Sequence, residues 1–256
     1  MITILTATAL IFLILTYLAR RLHLEGDFFV VRLVRHGEST ENAGLEDYRE
    51  VGDHNIRLTD TGWQQARNRG KAIGRKRLAN AIVYSSPYRR TRETRRGILE
   101  GAGFSQAEIE AFRRFEDPLI REVEFGYGDL EAQIEKRGIH SYFYYRFEGG
   151  ESPAEAYDRI TGFIEILWRQ VKREFRWEFV RRLFRRRPKE VFVVGHGLAH
   201  RLFVMRWLHL TVEEFNLIAN PHNCDEITIA PVKWLKNPQF VCGRWGVEGL
   251  RWRTED

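Results

Sequence analysis

Cysteine, methionine and proline are scarce here: two, two and seven among 256 residues. Two thiols, Cys224 and Cys242, cannot staple a mini-domain or build a Cys-rich zinc site, and they fit a reducing compartment. So few prolines, beside 21 glycines and 13% aromatic residues, argue against a collagenous or disordered chain. A third scarcity is local: Met1 to Ala19 carries no charged side chain. What is present, 43% hydrophobic and 30% charged residues, suffices for one globular body with a sizeable core. Forty-one Lys and Arg against thirty-five Asp and Glu leave a net charge of +6, which suggests an anionic partner without naming it.

The uncharged run is long enough for a bilayer. Residues 2–19, at a rise of about 1.5 Å each, reach about 27 Å against a hydrocarbon core of about 30 Å. This predicts a transmembrane anchor over residues 1–19, a juxtamembrane linker over 20–27 and a folded body over 28–256. No basic residue precedes the run, and Tyr17-Leu18-Ala19 lacks the small first residue of a cleavage site, so an anchor is favoured over a signal peptide. A buried first helix or strand of the body is the other reading. Arg20 and Arg21 then predict a single-pass membrane protein with its body facing the cytoplasm.

A second anomaly is Trp168 to Glu190, with ten Lys or Arg and three Glu, a local excess of +7 that leaves −1 for the rest. Ile160, Phe163, Ile164, Leu167 and Val171 run into it at helical spacing, so its first part reads as an amphipathic helix ending by Pro188. Its basic end reads either as a further contact with anionic lipid or as a solvated face. Nucleic acid is not expected, because no binding motif accompanies the charge.

Elsewhere the chain alternates short apolar strands with helical stretches. Phe28 to Val34 opens into Arg35-His36-Gly37, Ala81 to Ser85 into a loop ending Arg89-Arg90-Thr91, and Glu190 to Gly195 into His196-Gly197; Glu226 to Val232 reads as a later strand. That grammar predicts an α/β fold with a mostly parallel sheet covered by helices on both faces. Ligands of such sheets bind outside the carboxyl ends of the strands, where all three motifs fall.

Two histidines and several arginines, with no cysteine or carboxylate cluster at ligand spacing, disfavour a metal centre and suit a phosphoryl group. Helix N-termini add backbone donors. A neutral imidazole among such cations is a nucleophile toward phosphorus, and the leaving alcohol needs a carboxylic acid to protonate it.

Val34-Arg35-His36-Gly37-Glu38-Ser39 with Asn42, Ser85-Ser86-Pro87-Tyr88-Arg89-Arg90-Thr91-Arg92-Glu93-Thr94, Arg121-Glu122 before Phe125-Gly126, and Gly195-His196-Gly197 together resemble the histidine phosphatase superfamily, the phosphoglycerate mutase-like proteins. The resemblance runs from about Phe28 to Ala230. Two of its blocks, YYRFEGGESPAEAYDRI and RLFVMRWLHLTVEEFNLIANPHNC, look most like the plant, fungal and bacterial mutase-like branch. It implies a three-layer α-β-α sandwich. It also implies His36 as nucleophile, Glu122 as acid, Arg35, Arg90 and His196 as phosphate clamp, Asn42 as an added polar contact, and no metal or organic cofactor. Arg90 is preferred to Arg89, and Glu124 is the alternative acid. Thr91, Gly195 and Glu148 depart from the residues usual in the family.

The expected activity is therefore hydrolysis of a small phosphorylated substrate through phospho-His36. Phosphoglycerate mutase activity, or a catalytically silent, membrane-tethered module that binds phosphorylated ligands, are the alternatives. Tyr142-Phe143-Tyr144-Tyr145 reads as a lid or as ordinary packing, with Arg146 a contact for a second anionic group. His23, His54, His140, His200, His209 and His222 read as surface or helix residues, the spacing of His196 and His200 is not taken as a metal pair, and Trp245 and Trp252 suggest a C-terminal segment folded back on the body.

Overall fold

The computed structural model describes residues 10–14, 16–17, 29–113, 115–182 and 189–253. Its strands are β1 (Phe29–Arg35), β2 (Ile82–Ser85), β3 (Phe115–Glu116), β4 (Lys189–Gly195), β5 (Ile218–Ala219), β6 (Glu226–Pro231), β7 (Phe240–Cys242), β8 (Trp245–Glu248) and β9 (Arg251–Trp252). The helices that matter below are α1 (Asp60–Ile73), α2 (Arg89–Gly101), α3 (Leu130–His140), α4 (Pro153–Arg182) and α5 (Gly197–Leu208).

Side-chain alternation along the strands builds two cores. Phe29, Val31, Leu33, Val191 and Val193 point to one face, where they meet Ile160, Phe163, Leu167 and Val171 of α4 and Leu202 of α5. Val34, Val83, Phe192 and Val194 meet Ala66 and Ile73 of α1 and Ile98 of α2 on the other. The result is helix, sheet, helix. The long α4 begins with a capping box: Ser152 N–H donates to Glu155 at 2.8 Å, and Glu155 N–H donates to the Ser152 hydroxyl at 3.2 Å.

Two expectations about the fold are corrected. The sheet, ordered β3-β2-β4-β1-β6-β8-β7, is mixed rather than mostly parallel. The strands β1 to β4 pair in parallel through helical crossovers, whereas β6, β8 and β7 pair antiparallel. The cause is chain length between strands: β7 and β8 are joined by Gly243-Arg244 alone, with Gly243 at φ 58°, and a two-residue connection permits only a hairpin.

The second correction concerns the membrane. No helix among the described residues is long and apolar enough to cross one, which overturns the transmembrane helix expected over residues 1–19 and the single-pass, cytoplasm-facing placement built on it. Of that run, residues 10–14 and 16–17 are described and helical, and the rest lies outside the described residues. The longest described helix, α4, buries one stripe and exposes Glu165, Arg169, Lys172 and Arg173 on the other side, so it is amphipathic rather than membrane-like. Arg169, Lys172 and Arg173 belong to the stretch 168–190 and are exposed, while residues 183–188 lie outside the described residues.

Candidate active site

Parallel register gathers the site. Arg35 at the end of β1 lies opposite Gly195 at the end of β4, and Ser85 of β2 lies opposite Val194. The ladder continues one step past the strands: His36 N–H donates to Gly195 O at 2.9 Å and Ser86 N–H to Val194 O at 3.0 Å. His36, Ser86 and His196 consequently emerge side by side although scores of residues separate them in sequence. Two glycines let the loop after β1 seat against α1. A Cβ on Gly37 would stand 2.5 Å from Gly62 O, and one on Gly62 would overlap the carbonyl of Glu38.

His36 is buried, and its Nδ1 lies 2.7 Å from Gly37 O. A carbonyl only accepts, so the ring proton sits on Nδ1 and the lone pair on Nε2. Burial first, then Arg90 and Arg35, hold the His36 pKa well below 6.5, so the ring stays neutral. His196 faces it with ring centroids 5.3 Å apart, and its Nε2 is 2.9 Å from Ser86 Oγ. Its own pKa is also lowered, by burial and then by Arg90.

Arg90 is buried at the start of α2 and donates from Nη1 to Asp53 O at 2.7 Å and to Asp53 Oδ1 at 2.6 Å. Arg35 donates from Nη1 to Pro221 O at 2.6 Å. Arg35 Nε, Arg90 Nε and His196 Nδ1 are buried with no hydrogen-bond partner. Three such atoms around one imidazole are what an oxyanion satisfies.

Glu122 is half-buried and receives Leu198 N–H at 3.3 Å and Ala199 N–H at 3.0 Å from the first turn of α5. Burial raises its pKa above 4.5 despite the opposing pull of the Val123 and Ala199 amides and of Arg90 and Arg35. Glu124, the alternative acid, is exposed and paired with Arg121 at 2.9 Å. Arg89 is likewise exposed, held by Glu93 at 2.8 Å. Asn42 stands at the exposed rim, where its Oδ1 accepts from Ser39 N–H at 3.3 Å and Asn223 Nδ2 at 3.1 Å.

Two positions, Asp53 and Arg159, escaped sequence reasoning. Asp53 lies 37 residues before Arg90, and only the tertiary fold sets the two together. Arg159 of α4 donates to Leu119 O at 2.7 Å, Arg121 O at 2.9 Å and Glu122 O at 3.0 Å, clamping the segment that carries Glu122, while Glu151 anchors its guanidinium at 2.5 Å. Thr91 spends its hydroxyl on Ser86 O at 2.8 Å and Tyr88 O at 2.7 Å, inside its own loop. Gly195 leaves room for buried His200, whose Nε2 would lie 2.6 Å from a Cβ there. Arg146, expected near a second anion, is exposed and paired with Glu155 at 3.4 Å. Among the described residues no three His, Cys, Asp or Glu side chains are grouped to hold a metal ion.

Comparison with known proteins gives a consistent picture. The model of the histidine phosphatase superfamily (branch 1) matches residues 31–234. Phosphoglycerate mutase-like protein AT74 of Arabidopsis thaliana is 35% identical over 206 residues, covering 75% of this chain and 62% of its own length. This chain thus spans less than two thirds of that relative. The broad-range acid phosphatase DET1 of Saccharomyces cerevisiae is 27% identical over 285 residues, 76% of this chain and 83% of its own. Among solved structures, a mycobacterial glucosyl-3-phosphoglycerate phosphatase matches 78% of this chain and 89% of its own with a TM-score of 0.59 and 22% identity, a likeness of fold alone.

Proposed function

The chain belongs to the histidine phosphatase superfamily, and from that premise we propose that residues 28–256 form a hydrolase of small phosphomonoesters working through a phosphohistidine on His36. The observation that carries the reading is the hydrogen bond from His36 Nδ1 to Gly37 O, which leaves a neutral Nε2 lone pair amid the cations of Arg35 and Arg90.

In the first step Nε2 of His36 attacks phosphorus, the bond to the ester oxygen breaks, and protonated Glu122 gives its proton to the departing alkoxide. The nitrogen–phosphorus bond forms while Arg35, Arg90 and His196 hold the non-bridging oxygens. The bond from Nδ1 to Gly37 O persists and stabilises the positive ring as charge develops. In the second step water attacks phosphorus, Glu122 accepts its proton, the nitrogen–phosphorus bond breaks, and inorganic phosphate leaves. Asn42 contributes a polar contact at the rim. The raised pKa of Glu122 suits both roles, because it supplies an acid that returns to its protonated form between turnovers.

The test is a rapid acid quench with radiolabelled substrate. Wild-type protein is expected to retain label on histidine, and His36→Ala to lose both the label and the hydrolysis of p-nitrophenyl phosphate by at least about a thousandfold. A folded His36→Ala protein that keeps turning over sinks the mechanism. Product analysis with 3-phosphoglycerate separates hydrolysis, which releases inorganic phosphate, from mutase transfer, which returns the phosphoryl group to the acid.

A further inference from the structure

Two neutral imidazoles, His36 and His196, stand with ring centroids 5.3 Å apart, yet the proposed chemistry asks opposite things of them. One must present a lone pair to phosphorus, the other an N–H to an oxygen bonded to it. A neutral ring carries one proton on one of its two nitrogens, so each role is fixed by what the remaining nitrogen meets. For His36 that partner is Gly37 O, which only accepts and so draws the proton to Nδ1. For His196 it is the hydroxyl of Ser86, 2.9 Å from Nε2.

A hydroxyl both donates and accepts, and its surroundings decide which it does here. Ser86 is fully buried, so its proton has no solvent to donate to. Among the described residues its Oγ has two hydrogen-bond partners, Tyr88 N–H at 3.4 Å and His196 Nε2 at 2.9 Å. The Tyr88 amide only donates, which occupies a lone pair of Oγ and leaves the hydroxyl proton for His196. Nε2 of His196 must then carry a lone pair. The ring proton is left on Nδ1, the atom that is buried without a partner.

The surrounding loop holds this arrangement in place. Ser86 N–H donates to Val194 O at 3.0 Å, and Ser86 O accepts from the Thr91 hydroxyl at 2.8 Å, so the backbone is tied on both sides of the Ser86 side chain. The Tyr88 ring packs edge-on against the His196 ring, with centroids 5.2 Å apart at 72°, while the Arg90 guanidinium lies 5.0 Å over that same tyrosine. One short segment after β2 therefore seats both His196 and Arg90.

We propose that Ser86 is a positioning residue that fixes the tautomer of His196, so that His196 enters the phosphate clamp as a neutral Nδ1–H donor. The inference rests on the phosphatase reading for the identity of the anion. The opposite tautomer would turn a lone pair toward the phosphoryl oxygens, replacing an attraction by a repulsion. Two like side chains thus do different work because one rests against a carbonyl and the other against a hydroxyl.

Nitrogen-15 NMR of the full-length protein labelled at histidine reads the tautomer directly, because protonated and unprotonated ring nitrogens resonate far apart. His196 is assigned by the signals lost in His196→Gln. Without phosphate at pH 7.5, wild-type His196 is expected to be protonated at Nδ1, and Ser86→Ala to move that proton wholly or partly to Nε2. Inorganic phosphate titrated calorimetrically into the same samples should bind at least about tenfold more weakly to Ser86→Ala, while Ser86→Thr, which keeps a hydroxyl, should retain the tautomer and most of the affinity. A wild-type His196 protonated at Nε2 overturns the assignment, and this spectrum decides even where a variant fails to fold. A folded Ser86→Ala protein whose His196 stays protonated at Nδ1 overturns it too, whatever its affinity for phosphate. Labelled phosphohistidine is scored separately, so failure of the phosphatase reading is not confused with failure of the tautomer.

Discussion

Glu122 meets two opposed demands at one carboxyl. Its oxygens accept amide protons from the first turn of α5, which favours the anion, yet burial keeps its pKa above 4.5 and favours the acid. His36 is shifted the opposite way, below 6.5. Activity therefore needs pH above the lowered His36 value and below the raised Glu122 value, and the kcat profile should fall on the alkaline side as Glu122 ionises. Glu122→Gln is expected to remove that alkaline limb and to lower kcat by about 10²- to 10⁴-fold for esters with poor leaving groups, with less loss for p-nitrophenyl phosphate. A pH series of kcat for both substrates checks this; an unchanged alkaline limb assigns the acid elsewhere. Asp53 tests positioning. It supplies the carboxylate partner of buried Arg90 at 2.6 Å, so Asp53→Ala should misplace the guanidinium and reduce kcat/KM on the order of tenfold to a hundredfold, whereas Asp53→Asn retains the side-chain acceptor and should lose less. Steady-state kinetics on the two variants separates orientation from charge.

At the scale of elements, the site depends on how closely the loop after β1 approaches α1. Gly62 is buried near the start of α1, where Thr59 caps the helix through Gly62 N–H at 3.0 Å. A methyl group at Gly62 collides with the Glu38 carbonyl, two residues beyond His36, so Gly62→Ala should cost about 1–3 kcal/mol of stability and push the His36 loop outward. Urea unfolding and p-nitrophenyl phosphate turnover measured on the same preparation check the two effects together. The ends of the early strands were legible in sequence because they obey local rules: apolar, β-branched runs for β1 and β4, each opening into a glycine-containing loop. The antiparallel half of the sheet was less legible. The Gly243-Arg244 hairpin joins strands of three and four residues, too short for alternation to stand out against a tail rich in glycine and tryptophan.

For the whole molecule, the buried histidines couple folding to pH. His36, His196 and His200 have lowered folded-state pKa values, with His200 near 3, while the unfolded rings protonate around 6.5. Their stability contribution is complete above about pH 6.5 and is lost as the pH falls toward the folded values, by up to about 1.4 kcal/mol per pH unit for each ring. The raised Glu122 pKa acts in the other direction, since the folded chain takes up its proton before the unfolded one, and it offsets part of the loss above about pH 4.5. Urea midpoints at pH 7.5, 6.0 and 5.0 should fall progressively, and His200→Leu should flatten the slope; a midpoint independent of pH contradicts it. By itself the sequence determined that strands lead into Arg35-His36-Gly37, Arg90-Thr91 and Gly195-His196-Gly197, and hence the chemistry a phosphate requires, because short-range patterns and side-chain types express both. It misjudged the apolar first residues, since hydropathy records what a segment would tolerate and not the helix it forms. Only tertiary structure decided that Asp53 orients Arg90 and that Arg159 clamps the Glu122 segment. Such contacts join residues far apart in the chain, and their energies depend on distance, burial and neighbouring charge, none of which a linear sequence contains.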